Sequence, residues 1–402
     1  MKNIFPGYSR KSEEDIKKMW EKSTLIFDAN VLLNLYRYSD STRDTILDLI
    51  EKFSDRIWLP HQSALEYNRN RYEVIADQEK AYKEFIEKIE QIKKDLQSTN
   101  KPPFLSNTVH EDLNNVFAKV VVEVDESIKK YCEYLKSDPI YDNIDRLFDG
   151  KISQCYSEEK LEELYKEGET RYKSKFPPGY EDEKNKEGNR KFGDLVLWKQ
   201  IIDKGKESKN PIIFITDERK IDWWWKIKDG RNMGPRQELV EEMKREANID
   251  FHMYSSERFL SYGQSYLEEK VNQKALEEIQ ALKRTEIEEL RKRQMMAERE
   301  LEIRKRKFEE EAIYINHKIM DINKQIHEIN RKQEELRIHH SDDMDVQEYS
   351  HNLSIHVSEL QFQKAELEKR RMMLEMESRE SVEQLDKEQQ MMYKRIYRKN
   401  RE

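Results

Sequence analysis

The run Thr24-Leu-Ile-Phe-Asp28 constrains this chain more than any other. Four bulky or β-branched residues follow one another without helical period, which reads as a buried strand. An acid stands where that strand should end. A carboxylate at the carboxyl edge of a parallel strand faces the crevice where open α/β sheets bind ligands. Asn30 then offers a helix cap, and Val31, Leu32, Leu35 and Tyr38 supply an apolar helix face. One such acid serves equally well as a plain cap. The pattern recurs, however, at Pro211-Ile-Ile-Phe-Ile-Thr-Asp217, the clearest strand in the chain.

Arg56 to Pro60 reads as a further short strand, closed by a proline that cannot continue a ladder. Asp250 to Tyr254 reads as the last one. Helical spacing separates them: Ser41 to Phe53, the stretch from His61, Asp194 to Lys204, and a helix opening near Pro235. Strands alternating with helices predict a parallel sheet covered on both faces. The alternation stops for about a hundred residues, where Ala81 to Leu96 and Val109 to Leu135 read as two long antiparallel helices, an insertion spanning about 75–175. Asn100-Lys-Pro-Pro-Phe104 breaks them. Shorter helices are expected at Pro139 to Phe148 and Glu158 to Lys173, and a loop from Lys175 to Asn189.

From about residue 263 the character changes. Charged residues are 39% of the chain against 36% hydrophobic, and the C-terminal stretch concentrates that excess. Ile319, Ile322, Ile326, Ile329, Gln333 and Leu336 step alternately by three and four. Leu353, Val357, Leu360, Lys364, Leu367, Arg371 and Leu374 do the same. Two heptad seams around a polar break predict an antiparallel coiled-coil hairpin over 263–402, turning near 340–350, with the His339-His340 pair facing solvent at the turn. Gln333, Lys364 and Arg371 weaken the seams and favour self-association or a protein partner.

A net charge of −8 excludes a chain that coats polyanions over its whole surface, so any nucleic-acid contact must be local. Cys132 and Cys155 show no metal spacing and fit a reducing cytoplasm. The N-terminus lacks the apolar core of a signal peptide and no run is long enough to span a bilayer, so no membrane association is expected.

Four acids stand where a metal site on such a sheet would want them. Asp28 and Asp217 end strands, while Glu66 and Asp194 lie near helix starts beside strands. Carboxylate oxygens suit Mg²⁺ or Mn²⁺, and such ions activate water for phosphodiester cleavage. The competing view is that all four cap helices and complement their dipoles.

The runs Ile26-Phe-Asp-Ala-Asn-Val-Leu-Leu-Asn-Leu-Tyr36, Trp58-Leu-Pro-His-Gln62 with Glu66 and Asn68-Arg-Asn-Arg71, Pro177-Pro-Gly-Tyr180, Gly193-Asp194, and Phe214-Ile-Thr-Asp-Glu-Arg-Lys-Ile-Asp-Trp-Trp224 together resemble PIN-like domains of the bacterial subgroup with a helical insertion. The resemblance covers about 1–262. It implies a three-layer α/β nuclease domain, a divalent-metal-dependent endonuclease cutting RNA ahead of DNA, and a setting in bacterial stress, toxin or phage-defence systems. It carries the catalytic and metal-ligand roles onto Asp28, Glu66, Asp194 and Asp217, and makes Asn30 the polar neighbour of the first acid. Asp222 is a further candidate ligand. Arg69, Arg71 and Arg190 flank the site and could hold phosphates. Asp182 and Glu183 read as solvated loop charges. Trp223-Trp-Trp225 reads as cover for the sheet edge or the insertion rather than a base-stacking platform. The alternative function is a non-catalytic nucleic-acid-binding or scaffold protein assembled through the coiled coil.

Overall fold

The computed structural model describes residues 4–9, 11–96, 103, 105–182, 188–339 and 344–399. Helix α1 (Glu13–Lys22) opens on a capping box, Ser12 Oγ accepting the Asp15 N–H and Asp15 accepting the Ser12 N–H. Strand β1 (Thr24–Phe27) is buried throughout. It delivers the chain to Asp28, which caps α2 (Ala29–Asn34) by accepting the Ala29 N–H. Asn30, the expected cap, therefore lies inside the first helical turn, because Asp28 sits at the half-in position before it. Ser39 caps α3 (Asp40–Lys52), and β2 (Ile57–Trp58) follows.

Helix α4 (His61–Leu96) then runs 36 residues unbroken, since no Gly or Pro interrupts it. It therefore carries Glu66 and the first arm of the insertion on one rod. The return arm is α5 (Asn107–Tyr134), with the Tyr82 and Tyr131 rings 5.6 Å apart between the arms. Of the break expected at Asn100 to Phe104, only Pro103 is described. Asp138 and the first-turn Pro139 start α6 (Pro139–Phe148), and Ser157 caps α7 (Glu158–Lys173). Between them the chain returns to the sheet, where Leu59 bridges Ile152 in parallel. Then come α8 (Gly193–Ser208), β3 (Ile212–Ile215), β4 (Trp224–Lys226), β5 (Asn232–Pro235), α9 (Gln237–Ala247), β6 (Phe251–Tyr254), α10 (Ser256–Tyr266), α11 (Gln273–His339) and α12 (Met344–Lys399).

The main sheet has the order β2-β1-β3-β6, all parallel, with Ile26 beside Phe214 and Phe214 beside Met253. Successive side chains alternate faces. Leu25, Phe27, Ile213 and Ile215 pack with Trp20, Ile50, Phe148 and Phe259 on one side. Ile26, Ile212, Phe214 and Met253 pack with Trp198, Leu239 and Met243 on the other. The result is a three-layer α/β domain. Trp224 and Trp225 lie in β4 of the antiparallel β4–β5 hairpin, and Trp223, just before it, is buried with its ring 5.4 Å from that of Phe214.

The chain divides into two compact units, one continuing through Thr285 and one from Glu286. The first therefore takes in the opening turns of α11, whose Ala275 and Ile279 are buried in the Trp20 core. In the second unit Ile315, Ile319 and Leu374 are buried together, with Phe308 and Leu367 against them. Partners pair in reverse order there: Gln333 Nε2 donates to Ser350 O and Ser354 Oγ, Arg371 donates to Asn316 Oδ1, and Arg370 pairs with Glu311. Of the expected turn, residues 340–343, His340 among them, lie outside the described part, as does Glu183. Among the described residues no helix is long and apolar enough to cross a membrane.

Candidate active site

Asp28 is the centre. Its carboxylate is 8% exposed and accepts three bonds: the Ala29 N–H at 2.7 Å on Oδ1, and on Oδ2 the Asn30 amide at 2.7 Å and the Thr216 hydroxyl at 2.6 Å. The Thr216 contact follows from register. Ile26 lies beside Phe214, so the residues two further on, Asp28 and Thr216, emerge on the same face of the sheet. Burial pushes the Asp28 carboxyl up to about 7; the Thr216 bond opposes this, and the negative charges of Glu66, Asp194 and Glu218 add to it.

Those three neighbours come from different elements. Glu66 stands one turn into α4, where Gln62 Nε2 donates to its Oε1 at 2.6 Å. Gly193 opens α8 immediately before Asp194. A Cβ at Gly193 would meet Glu66 Oε1 at 3.0 Å and Gln62 Nε2 at 3.2 Å, so the bare glycine lets α8 begin close against these α4 side chains. Glu218 follows β3 and accepts the N–H groups of Arg219 and Lys220 on Oε1.

Glu218 was absent from the sequence-based set, and the period-2 alternation of β3 was the signal for it. Phe214, Thr216 and Glu218 fall on the Asp28 face, while Ile215 and Asp217 fall on the other. Asp217 accordingly keeps different company. Its Oδ2 accepts from Ser256 Oγ at 2.5 Å and Asn34 Nδ2 at 2.9 Å, its Oδ1 accepts the Ser256 N–H at 3.1 Å, and Lys283 Nζ lies 3.5 Å away. Burial alone would raise this carboxyl, but the Lys283 charge and the Ser256 and Asn34 bonds hold it below the usual range. Asn30 links the two acids, donating to Asp28 while its Oδ1 accepts the Asp217 N–H at 3.0 Å.

Two loop acids join the group. Asp182, expected to be solvated, is 3% exposed, because the turn from Pro177 folds inward and Asp182 N–H closes on Gly179 O. Asp222 holds that turn: its Oδ2 accepts the Gly179 and Glu181 N–H groups at 2.9 and 3.1 Å. Its Oδ1 is buried and has no hydrogen-bond partner among the described residues. Burial, with the charge of Asp194 next, pushes Asp222 up to about 8.

A cation sits among these acids. Lys220 Nζ lies 2.8 Å from Asp182, 2.9 Å from Glu218 and 3.2 Å from Asp194. Burial works against its charge, yet those carboxylates hold its pKa well above the ordinary lysine value. Trp223 Nε1 also donates to Asp194, at 3.2 Å.

The arginines separate. Arg69 and Arg190 are exposed. Arg71 is buried, 3.4 Å from Asp138 and stacked 4.0 Å over the Tyr141 ring, so its charge is engaged within the insertion.

The donor chemistry around Asp28 is all oxygen, the kind that hard divalent cations take. Burial first, and like charges after it, raise the Asp28 and Asp222 carboxyls, and Oδ1 of Asp222 has no hydrogen-bond partner among the described residues. Among the described residues no three such groups are drawn to the spacing of a held ion. The donor set is nonetheless of the chemical type that hard divalent cations take.

A family profile described as a PIN like domain matches residues 24–239, just over half of the chain, a span that includes Asp28, Glu66, Asp182, Asp194, Asp217, Glu218 and Asp222. No curated protein and no solved structure matches. The chain belongs to the PIN-like domain family, whose domains are typically nucleases acting on nucleic acid.

Proposed function

We propose that this chain is a divalent-metal-dependent endonuclease that hydrolyses phosphodiester bonds, with RNA preferred over DNA. The observation that carries this reading is the carboxyl of Asp28, raised to about 7 first by burial and then by the charges of Glu66, Asp194 and Glu218, which come from three separate segments. A carboxyl perturbed by burial and by several like charges is the pattern of a functional site.

Asp28, Glu66 and Asp194, with Glu218 beside them, would hold Mg²⁺ or Mn²⁺. When bound, the ion would polarise the scissile phosphate and lower the pKa of a water nucleophile. The chain does the positioning. Thr216 and Asn30 fix the Asp28 carboxylate, the bare Gly193 lets α8 begin close against Glu66, and Asp222 holds the turn bearing Asp182 over the cluster. Arg69 and Arg190, both exposed, would meet substrate phosphates. Asp217 acts as an anchor between β3, α2 and α10 rather than as a ligand. The heptad seams of α11 and α12 form an antiparallel coiled-coil hairpin that mediates self-association or partner docking, in a stress or phage-defence setting.

The test is incubation of the purified chain with RNA and DNA oligonucleotides of one sequence, in Mg²⁺, in Mn²⁺ and in EDTA. Cleavage of RNA faster than DNA, abolished by EDTA, is the expected result. Binding without cleavage under every ion would instead support a scaffold role.

A further inference from the structure

The position of Lys220 goes beyond this reading while resting on it. Its ammonium lies at ion-pair distance from three carboxylates on three segments: Asp182 at 2.8 Å, Glu218 at 2.9 Å and Asp194 at 3.2 Å. Only 18% of the side chain is exposed, so this is a built contact and not a surface pairing. The surroundings fix it. Glu218 is pinned by the Arg219 and Lys220 N–H groups, Asp182 by the turn that Asp222 holds, and Asp194 by the Trp223 indole.

An ammonium and a divalent cation cannot share the same oxygens at contact distance, because their like charges repel where the dielectric is low. The acids thus fall into two halves. Asp182, Glu218 and Oδ2 of Asp194 face Lys220, while Asp28 is held by Ala29, Asn30 and Thr216 and Glu66 accepts from Gln62. We propose that Lys220 is the permanent second cation of the site, so that the chain takes one divalent ion, at Asp28, Glu66 and Asp194, where two-ion nucleases take two.

A lysine in that place is a compact point charge with three donors. It offsets negative charge on Glu218 and Asp182 that would otherwise repel a polyanionic substrate. It also stands ready to donate to a phosphate oxygen as charge develops there. Unlike a second metal ion, it cannot be diluted out, so activity should follow the concentration of one ion only.

The measurement is the number of Mn²⁺ ions bound per full-length chain, from the loss of free-Mn²⁺ electron paramagnetic resonance signal on titration. The proteins compared are wild type, Lys220→Met, Lys220→Arg and Asp28→Asn. The expected result is one ion for wild type and for Lys220→Arg, two for Lys220→Met, and at least 100-fold weaker binding for Asp28→Asn. Two ions in the wild type would overturn the proposal and leave the nuclease reading standing, even if Lys220→Met fails to fold. One ion in a folded Lys220→Met would overturn it equally, since removing the lysine would then free no site. No Mn²⁺ bound by the wild type would remove the metal-dependent reading itself.

Discussion

Asp28 carries a cost that the pH should reveal. Its carboxyl ionises near 3.8 in an unfolded chain and at about 7 here. Between those values the folded protein holds a proton that the unfolded chain has lost, so this contribution to stability falls as pH rises through the window. Asp222, raised to about 8, pulls in the same direction. In EDTA, the melting temperature of the wild type should therefore drop between pH 5 and pH 8. Asp28→Asn removes the buried charge and should flatten that drop, with a gain at pH 8 that is absent at pH 5. Parallel curves for the two proteins in thermal melts would show that Asp28 is not the strained group. Gly193 makes a second residue-scale case. Gly193→Ala should displace Glu66, which a Cβ would meet at 3.0 Å, and weaken Mn²⁺ binding by roughly 10-fold or more while leaving the melting temperature within a few degrees. Unchanged affinity would mean that Glu66 moves aside freely.

Among the elements, β3 decides which acids meet. The run Ile212–Ile215 was legible as a strand because a parallel strand buried on both faces is continuously apolar. The acid next to its end was legible too, but not which side of the sheet it takes. Counting faces by twos from Ile26 and Phe214 would have put Glu218 with Asp28 and Asp217 with α10. Asp182 and Lys220 were less accessible, since a loop acid and a lysine among charges carry no local pattern; only the folded turn brings them together. The hairpin of β4 and β5 escaped because three tryptophans in a row do not show alternation. Asp217 now gives an element-scale prediction. Lys283, from the first turns of α11, pairs with it at 3.5 Å beside the Asn34 and Ser256 bonds. Lys283→Met should cost about 1.5–3 kcal/mol, the scale of a polar contact with a charged group. At about 2–4 °C per kcal/mol for a domain of this size, calorimetry would see it. No change in melting would mean that the other two partners suffice.

At the scale of the molecule, the composition shift near residue 263 marked where charge density rises, yet the first compact unit continues to Thr285. The reason is physical: Ala275 and Ile279 are buried, and Glu278 accepts from Ser39 Oγ and Thr42 Oγ1, both at 2.6 Å. A chain ending after residue 285 should fold as a soluble domain. One ending after residue 262 should melt lower, because those contacts are lost; equal melting of the two would place the boundary back at the composition shift. The heptad seams were legible over long stretches because their spacing is local, whereas the pairing of Gln333 with Ser354 is not. The claim on which the rest depends is that the acids around Asp28 work as a metal-dependent nuclease centre. Single-turnover cleavage of labelled RNA in Mn²⁺, by wild type and by folded Asp28→Asn, tests it most directly. Loss of a ligand should cost at least ~100-fold, since even outer partners of metal ligands cost 10–100-fold. Asp28→Asn cutting at the wild-type rate would contradict the account.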